Sequence, residues 1–254
     1  MKKFKLYVLG NYSPNCFSFG KCKCTSYELI GFKKQIYLDF GAGVFFKFLR
    51  RIKKNQTKLN DIIIIVSHNH IDHNFSLFFL SFYLYFRNKI KKENNKVKVI
   101  LPKRSIIFSI VNYFDKVFDV QILNEDYTFE EDGCKFSFCH TIHKGESYAT
   151  KIEYGAKKFV YTADIAEMSD ELSSFIANAD TVLVDAGYPV KLSRIFCKYH
   201  GRTGEILREV HNRKVKTILA THLRFFALSR DYYRRFPKGS DTKLVKMNKY
   251  YDLF

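Results

Sequence analysis

The feature that most limits how this chain can fold is a cluster of histidine and aspartate residues directly after an apolar stretch. Residues 62–66 read Ile-Ile-Ile-Ile-Val. A continuous run of β-branched residues predicts a buried strand. His68, His70, Asp72 and His73 follow it at once. Because functional residues gather in the loop after a strand, the sequence predicts a metal site at this strand's C-terminal end.

The residue types and their spacing indicate which metals fit. Neutral imidazole nitrogens and carboxylate oxygens suit zinc, iron or manganese, and hydrolytic sites leave one coordination position open for water. His68 and His70 lie two apart in an extended loop, so both can reach one ion. Asp72 and His73 can face a neighbouring ion. The run therefore predicts half of a two-metal centre, and the alternative is a solvated polar loop.

Three further candidate ligands follow later strand-like runs. His143 comes after residues 135–139, Asp164 after 158–163 and His222 after 216–221. A single polar residue at the tip of each strand is what a fold needs to gather distant ligands at one sheet edge. We therefore predict that these side chains meet the cluster at residues 68–73.

This motif series resembles that of the metallo-β-lactamase superfamily. It consists of His-x-His-x-Asp-His at 68–73, a separate His, an Asp after an apolar strand, and Thr-His at 221–222. Residues 35–43, Gln-Ile-Tyr-Leu-Asp-Phe-Gly-Ala-Gly, look like the superfamily's Asp-x-Gly-x-Gly turn. The resemblance implies an α/β fold of the four-layered αββα sandwich type, as a single domain over residues 1–254. It also implies that Asp39 supports the ligands from behind, and that Gly41 and Gly43 permit a tight turn.

The resemblance further implies a ligand set and two divalent metal ions, with zinc expected and manganese or iron as alternatives. One ion would be held by His68, His70 and His143, the other by Asp72, His73 and His222, and Asp164 would bridge them. A metal-bridging hydroxide would be the nucleophile that cleaves a phosphodiester bond. Asp72, as a catalytic residue, could take its proton.

Local features resemble the ribonuclease Z-like branch of the superfamily. His200-Gly-Arg-Thr203 precedes a predicted helix, and the resemblance implies that His200 lies at the scissile phosphate and donates a proton to the leaving oxygen. Thr203 is predicted to cap that helix, whose N-terminus favours anions. Ala163 stands where the family has glycine before the bridging Asp, a small change that should not prevent ligation.

The spacing of two candidate ligands departs from the tRNA-processing members of that branch. His143 and Asp164 are only 21 residues apart, which leaves no room for the long exosite arm of those enzymes. The better expectation is a compact phosphodiesterase acting on a nucleotide or a nucleic-acid end. The alternatives are a lactone or thioester hydrolase of the same fold, and a non-catalytic module that binds nucleic acid.

The composition indicates which classes of binding partner and which cellular compartment suit this chain. The net charge of +18 favours phosphate-rich partners such as nucleic acid, although it is equally explained as a compositional habit. No signal peptide pattern opens the chain, so a cytoplasmic location is predicted. The 26 Phe and 17 Tyr residues suggest a homodimer or a thick aromatic core. Cys22 and Cys24 form a weak alternative metal motif, and reduced thiols are expected.

The apolar stretch at residues 75–86 is too short to cross a bilayer, so no stable membrane insertion is expected. It predicts a buried helix after the metal loop, with a membrane-surface helix as the alternative. Predicted strands lie at 4–9, 27–31, 35–39, 62–66, 97–101, 118–123, 135–140, 149–154, 158–162, 181–185 and 215–220. Predicted helices lie at 44–53, 75–91, 169–178 and 203–213.

Overall fold

Two β-sheets carry most of the chain in the computed structural model, which describes residues 3–13, 23–103, 109, 113, 116–187, 200–222 and 241–254. The first sheet contains β1 (Lys5–Gly10), β2 (Ser26–Ile30), β3 (Gln35–Leu38), β4 (Ile62–Ile65), β5 (Val97–Pro102), β6 (Phe118–Leu123) and β14 (Tyr250–Asp252). The second contains β7 (Phe129–Glu131), β8 (Cys134–His140), β9 (Tyr148–Tyr154), β10 (Lys157–Tyr161), β11 (Thr181–Asp185), β12 (Thr217–Thr221) and β13 (Asp241–Leu244). The helices of the described residues are α1 (Phe45–Asn55), α2 (Ile71–Asn74), α3 (Ser76–Lys91), α4 (Asp170–Ile176) and α5 (Thr203–Asn212).

Both sheets mix antiparallel and parallel pairs. The first runs in the order β14-β1-β2-β3-β4-β5-β6, and the second in the order β13-β12-β11-β10-β9-β8-β7. Strands β3 to β6 are mutually parallel, as are β10 to β13. Parallel neighbours end at the same edge of a sheet, so the loops that follow them converge.

Strand β4 shows why its sequence is apolar at every position. Ile63 and Ile65 pack into the core shared by the two sheets, whereas Ile62 and Ile64 pack against α1 and α3 on the outer face. A strand buried on both faces has no position for a polar side chain. On the second sheet, α4 and α5 cover the outer face in the same way. The four layers confirm the predicted αββα sandwich.

Two predictions about helices are wrong. The stretch at 75–91 forms α3, but only one side of it is buried, because Leu77, Leu80 and Leu84 face the sheet while several phenylalanines face outward. Helix α5 begins at Thr203, but Arg202 occupies the N-cap position and no side chain caps the helix there. Propensity shows where a helix forms, but its buried side and its capping geometry depend on neighbouring elements.

The C-terminal segment adds strands that the sequence did not reveal. Strand β14 pairs with β1 and β13 pairs with β12, so each lengthens a different sheet. Both are short and partly polar, as edge strands often are. The prediction of a single domain over residues 1–254 stays a prediction.

Among the helices of the described residues, none combines the length and the apolar character that crossing a membrane requires.

Candidate metal centre

The C-terminal ends of five strands supply the polar side chains of one site. The loop after β4 carries the cluster at residues 68–73, and the segments after β8, β10 and β12 carry His143, Asp164 and His222. The fifth is β11, which ends at Asp185. A bridge between His68 and Ser147, with the Tyr148 N–H donating to the Ser67 carbonyl at 3.1 Å, joins the loops of the two sheets.

The first group of donors contains His68, His70 and His143. The Nδ1 atom of His70 lies 3.1 Å from His68 Nε2 and 3.2 Å from His143 Nε2. Asp164 Oδ2 completes the group, at 3.7 Å from His68 Nε2 and 3.9 Å from His143 Nε2. Three ring nitrogens therefore point at one small volume, as a bound ion requires.

The second group contains Asp72, His73 and His222. His222 Nε2 lies 2.9 Å from Asp72 Oδ2, and His73 Nε2 lies 3.6 Å from the same oxygen. Asp164 Oδ1 is 3.4 Å from both His73 Nε2 and His222 Nδ1. The two oxygens of Asp164 therefore face different groups, which is the arrangement of a bridging ligand.

Some buried polar atoms of this site lack the hydrogen bonds that buried groups normally make. Both oxygens of Asp164, His73 Nε2 and His222 Nδ1 are buried and have no hydrogen-bond partner among the described residues. Leaving such groups unpaired is costly, and native proteins seldom do so without a reason. Divalent cations would satisfy all of these atoms at once, so the residues fit a pair of metal ions.

Burial and neighbouring charges shift the pKa values of the histidine and aspartate side chains of this site. Burial, together with the neighbouring His73, lowers the pKa of His68 well below its usual value. Burial opposes protonation of His222 too, but Asp164 and the other carboxylates outweigh it and raise the pKa of His222 to about 10. Burial alone would raise the pKa of Asp164, yet His222 and His73 hold it well below its usual range. Without a metal, the site compensates its carboxylates with histidine protons, which a cation would displace.

Asp39 lies behind the ligands and orients them. One of its oxygens, Oδ2, lies 2.7 Å from His73 Nδ1 and accepts hydrogen bonds from Tyr161 Oη at 2.6 Å and Ser67 Oγ at 2.9 Å. The other accepts the Ser67 N–H at 2.7 Å. The bond to Nδ1 directs Nε2 of His73 toward the second group. The role predicted for Asp39 matches this position, but the contact from Tyr161 was not foreseen.

We expect Asp39→Asn to weaken metal binding at the second group by about 10-fold to 100-fold, because an amide supports the His73 ring less well than a carboxylate. Asn tolerates the left-handed backbone of Asp39, whose φ is 57°, so the effect should come from the charge. Competition with a chromogenic chelator measures the affinity. Asp126→Asn, at an exposed aspartate, is the control. Equal affinities for the two variants would contradict the role of Asp39.

Two glycines near the site are required by geometry. A side chain on Gly41 would collide with the Asp72 carbonyl oxygen, since a Cβ there would lie 1.9 Å from it. Gly43 has a φ of 82°, as expected for a residue in a tight turn. These positions bring the turn after β3 against the metal loop. Ala163 has a φ of 55°, a conformation that glycine adopts more easily.

Asp185 is the site residue that sequence reasoning missed. Its Oδ2 lies 2.8 Å from His200 Nδ1, and its Oδ1 lies 3.3 Å from His222 Nδ1. The His200 ring centroid is 5.2 Å from those of His143 and His222, so this side chain borders both groups of donors. A signal existed, because Asp185 stands at the tip of a strand, like the other candidates. His140 and His211, which had no predicted role, are exposed.

Comparison with protein families identifies the chain. The family described as "Beta-lactamase superfamily domain" matches residues 35–223, which include every candidate ligand. The chain belongs to the β-lactamase superfamily. This membership confirms the resemblance seen in the sequence. No curated protein matches the sequence.

Solved structures show the same fold over nearly the whole length of this β-lactamase superfamily protein. The metallo-β-lactamase fold protein YhfI from Bacillus subtilis is 20% identical with a TM-score of 0.83, and the match covers 98% of this chain and 99% of that one. A diphosphatase from the PhnP family is 17% identical with a TM-score of 0.71, covering 98% and 97%. Human tRNase Z, short form (ELAC1), is 15% identical with a TM-score of 0.70, covering 98% and 99%.

Some predicted features lie outside the described residues. Cys22 of the alternative metal motif is among them, although Cys24 is described and buried. That alternative, the identity of the metal, the cytoplasmic location and the homodimer stay predictions.

Proposed function

We propose that this protein is a di-metal phosphodiesterase that acts on a nucleotide or on the end of a nucleic acid. The observation that carries the proposal is the position of Asp164, whose two oxygens face two separate groups of histidine and aspartate donors at 3.4–3.9 Å. When bound, two divalent ions would acidify a water molecule and neutralise the oxygens of a phosphodiester. All seven predicted ligands lie in these two groups.

The protein's own groups supply the proton transfers. Asp72 lies 2.9 Å from His222 and is held ionised, because the charges of His73 and His222 outweigh burial and lower its pKa. An ionised carboxylate at the second group can accept a proton from the attacking water. Asp72 is therefore assigned the role of base as well as ligand.

His200 is assigned the role of acid. Asp185 holds its Nδ1 at 2.8 Å, which leaves Nε2 as the nitrogen that can give a proton to a leaving oxygen. The backbone next to this ring is anchored, because the Gly201 N–H donates to the Ile165 carbonyl at 2.7 Å. Helix α5 begins three residues after His200, and a helix N-terminus favours an anionic phosphate.

The chain between the ligands limits the size of the substrate. Residues between His143 and Asp164 form the tight hairpin of β9 and β10, in which Tyr154 pairs with Lys157. No arm extends from this part of the chain. A substrate held mainly by its reacting phosphate and adjacent groups fits this site better than one gripped at a distance. Two structural neighbours are named as a diphosphatase of the PhnP family and as a tRNase Z, and both names refer to substrates that contain phosphate groups, which is consistent with this class.

Hydrolysis of bis(p-nitrophenyl) phosphate by protein loaded with zinc or manganese tests the proposal. We expect release of p-nitrophenol that disappears in Asp72→Ala. A panel of lactones and thioesters should be cleaved far more slowly. Protein shown to hold two ions that cleaves those carbonyl esters but no phosphodiester would overturn the proposal.

We expect His200→Ala to bind two ions and yet cleave phosphodiesters about 100-fold to 10,000-fold more slowly, because the leaving oxygen loses its proton donor. The loss should be smaller for p-nitrophenyl esters, since that leaving group needs little protonation, and larger for alkyl or nucleoside esters. Measuring kcat against the pKa of the leaving alcohol shows the difference. His211→Ala, at an exposed histidine, is the control. An equal loss for all leaving groups would contradict the role of acid.

A further inference from the structure

Helix α3 carries an exposed aromatic stripe that the proposed function does not use. Phe75, Phe79, Phe82 and Phe86 follow one another at intervals of four, three and four residues, so they lie along one side of the helix. Their exposed fractions are 37%, 45%, 39% and 52%. The opposite side of α3 is already buried against the first sheet. A helix that is apolar on both sides is normally covered on both sides.

The stripe continues onto α1. The Phe45 ring lies 6.0 Å from both Phe79 and Tyr83, and its neighbour Phe46 is 69% exposed. The residues that make up this surface, which we call the aromatic face, are Phe46, Phe75, Phe79, Phe82, Tyr85, Phe86 and Ile90.

The area of the aromatic face matches half of a stable dimer interface. With about 200 Å² for each large side chain, the exposed fractions amount to about 700 Å². The largest apolar patch on a typical monomer covers about 300–600 Å². A standard interface buries about 800 Å² on each partner. The surface is therefore larger than a solitary protein usually exposes and close to what one partner contributes.

The distribution of charge decides between a second copy and an anionic membrane. Residues 74–86 contain no charged side chain, and the basic residues of α3 gather at its C-terminal end, at Arg87, Lys89 and Lys91. A membrane-surface helix carries basic residues along its length, beside its apolar face. In a two-fold pair whose axis is perpendicular to α3, the two helices run antiparallel, so their basic ends lie about 24 Å apart, at opposite ends of a 16-residue helix. That distance exceeds the screening length of about 8 Å at physiological salt.

We propose that two copies of this chain form a symmetric dimer by packing their aromatic faces together. The interface is isologous, so each residue of the face meets the same surface of the other copy. Helix α2 carries Asp72 and His73 and leads into α3 at Phe75, so the interface borders the metal loop. The proposal does not depend on the nature of the substrate.

Sedimentation velocity of the full-length, metal-loaded protein tests the proposal. The expected wild-type species has twice the chain mass at micromolar concentration. Phe82→Glu, which places a charge in the middle of the face, should weaken the dimer at least tenfold. Its rate per site on bis(p-nitrophenyl) phosphate should stay unchanged, since Phe82 touches none of the candidate ligands. Tyr250→Glu is the matched control, because Tyr250 is half exposed on edge strand β14 and lies outside the aromatic face.

Two further measurements keep the test decisive. If circular dichroism shows that Phe82→Glu is unfolded, Phe86→Glu makes the same change at a more exposed position. Raising the salt concentration should leave the dimer intact or strengthen it, because the two copies repel each other at +18 each. A monomeric wild-type protein would overturn the proposal. A dimer that resists both Glu substitutions would also overturn it. So would a wild-type monomer that binds phosphatidylserine vesicles at low salt, if the Phe82→Glu variant does not bind them.

Discussion

Asp164→Ala is expected to bind neither metal ion and to lose activity by about 1,000-fold or more. Asp164 is the one side chain shared by both groups of donors, and its two oxygens face opposite ways. Its removal also takes away the carboxylate oxygen that lies 3.4 Å from both His73 Nε2 and His222 Nδ1. Atomic emission analysis of dialysed protein gives the metal content, and bis(p-nitrophenyl) phosphate gives the activity.

Graded variants distinguish a bridging ligand from an ordinary one. Asp164→Asn keeps the volume of the side chain but offers one oxygen and an amide that cannot ligate, so it should hold at most one ion. His68→Ala removes a donor from the first group alone and should leave one ion in the second group. Asp126→Ala, at an exposed aspartate, should bind two ions like the wild type. Two tightly held ions in Asp164→Ala would rule out the bridging role.

Glu28→Ala is expected to cost about 3–5 kcal/mol of folding free energy, because it leaves the largely buried guanidinium of Arg51 without its counter-charge. Glu28 is 1% exposed. Its Oε2 accepts from Arg51 Nε at 2.6 Å, and its Oε1 accepts from Gln35 Nε2 at 2.5 Å. Arg51 also lies over the Tyr7 ring, 4.2 Å from its centroid. This network ties α1 to strands β1, β2 and β3.

Urea denaturation of the metal-loaded protein measures the loss. The matched control is Asp252→Ala, which breaks the exposed pair between Lys5 and Asp252 and should cost less than about 1 kcal/mol. Replacing both partners, as Glu28→Leu with Arg51→Met, should recover much of the stability, because no unpaired charge is then buried. Similar losses for Glu28→Ala and Asp252→Ala would show that burial does not strengthen the pair.

The strands and candidate ligands could be predicted because their signals are local. The isoleucines of β4 are apolar at every position since both faces of that strand are buried, and this needs no knowledge of the partner strands. The ligand candidates share one local pattern, a polar residue just after a strand. Parallel strands bring such residues to one edge, so their meeting could be foreseen as well. The family match over residues 35–223 agrees with that expectation of the fold.

Asp185 shows where local reasoning stopped. Its strand was predicted correctly, but nothing in the neighbouring sequence indicates that its carboxylate meets His200, fifteen residues further along the chain. The hydrogen bond from Tyr161 to Asp39 could not be predicted for the same reason, since it joins residues 122 positions apart in the sequence. A side chain's partner depends on the packing of elements that are distant in sequence.

The sequence by itself determined the element types, the order of the candidate ligands and the superfamily, because periodicity and motif spacing are written in consecutive residues. Only the tertiary structure decided that the two oxygens of Asp164 face separate groups, that Asp185 holds His200, and that the phenylalanines of α3 point outward. An apolar helix has the same composition whether one side or both sides of it are buried. Which side stays exposed is decided by where the sheet lies.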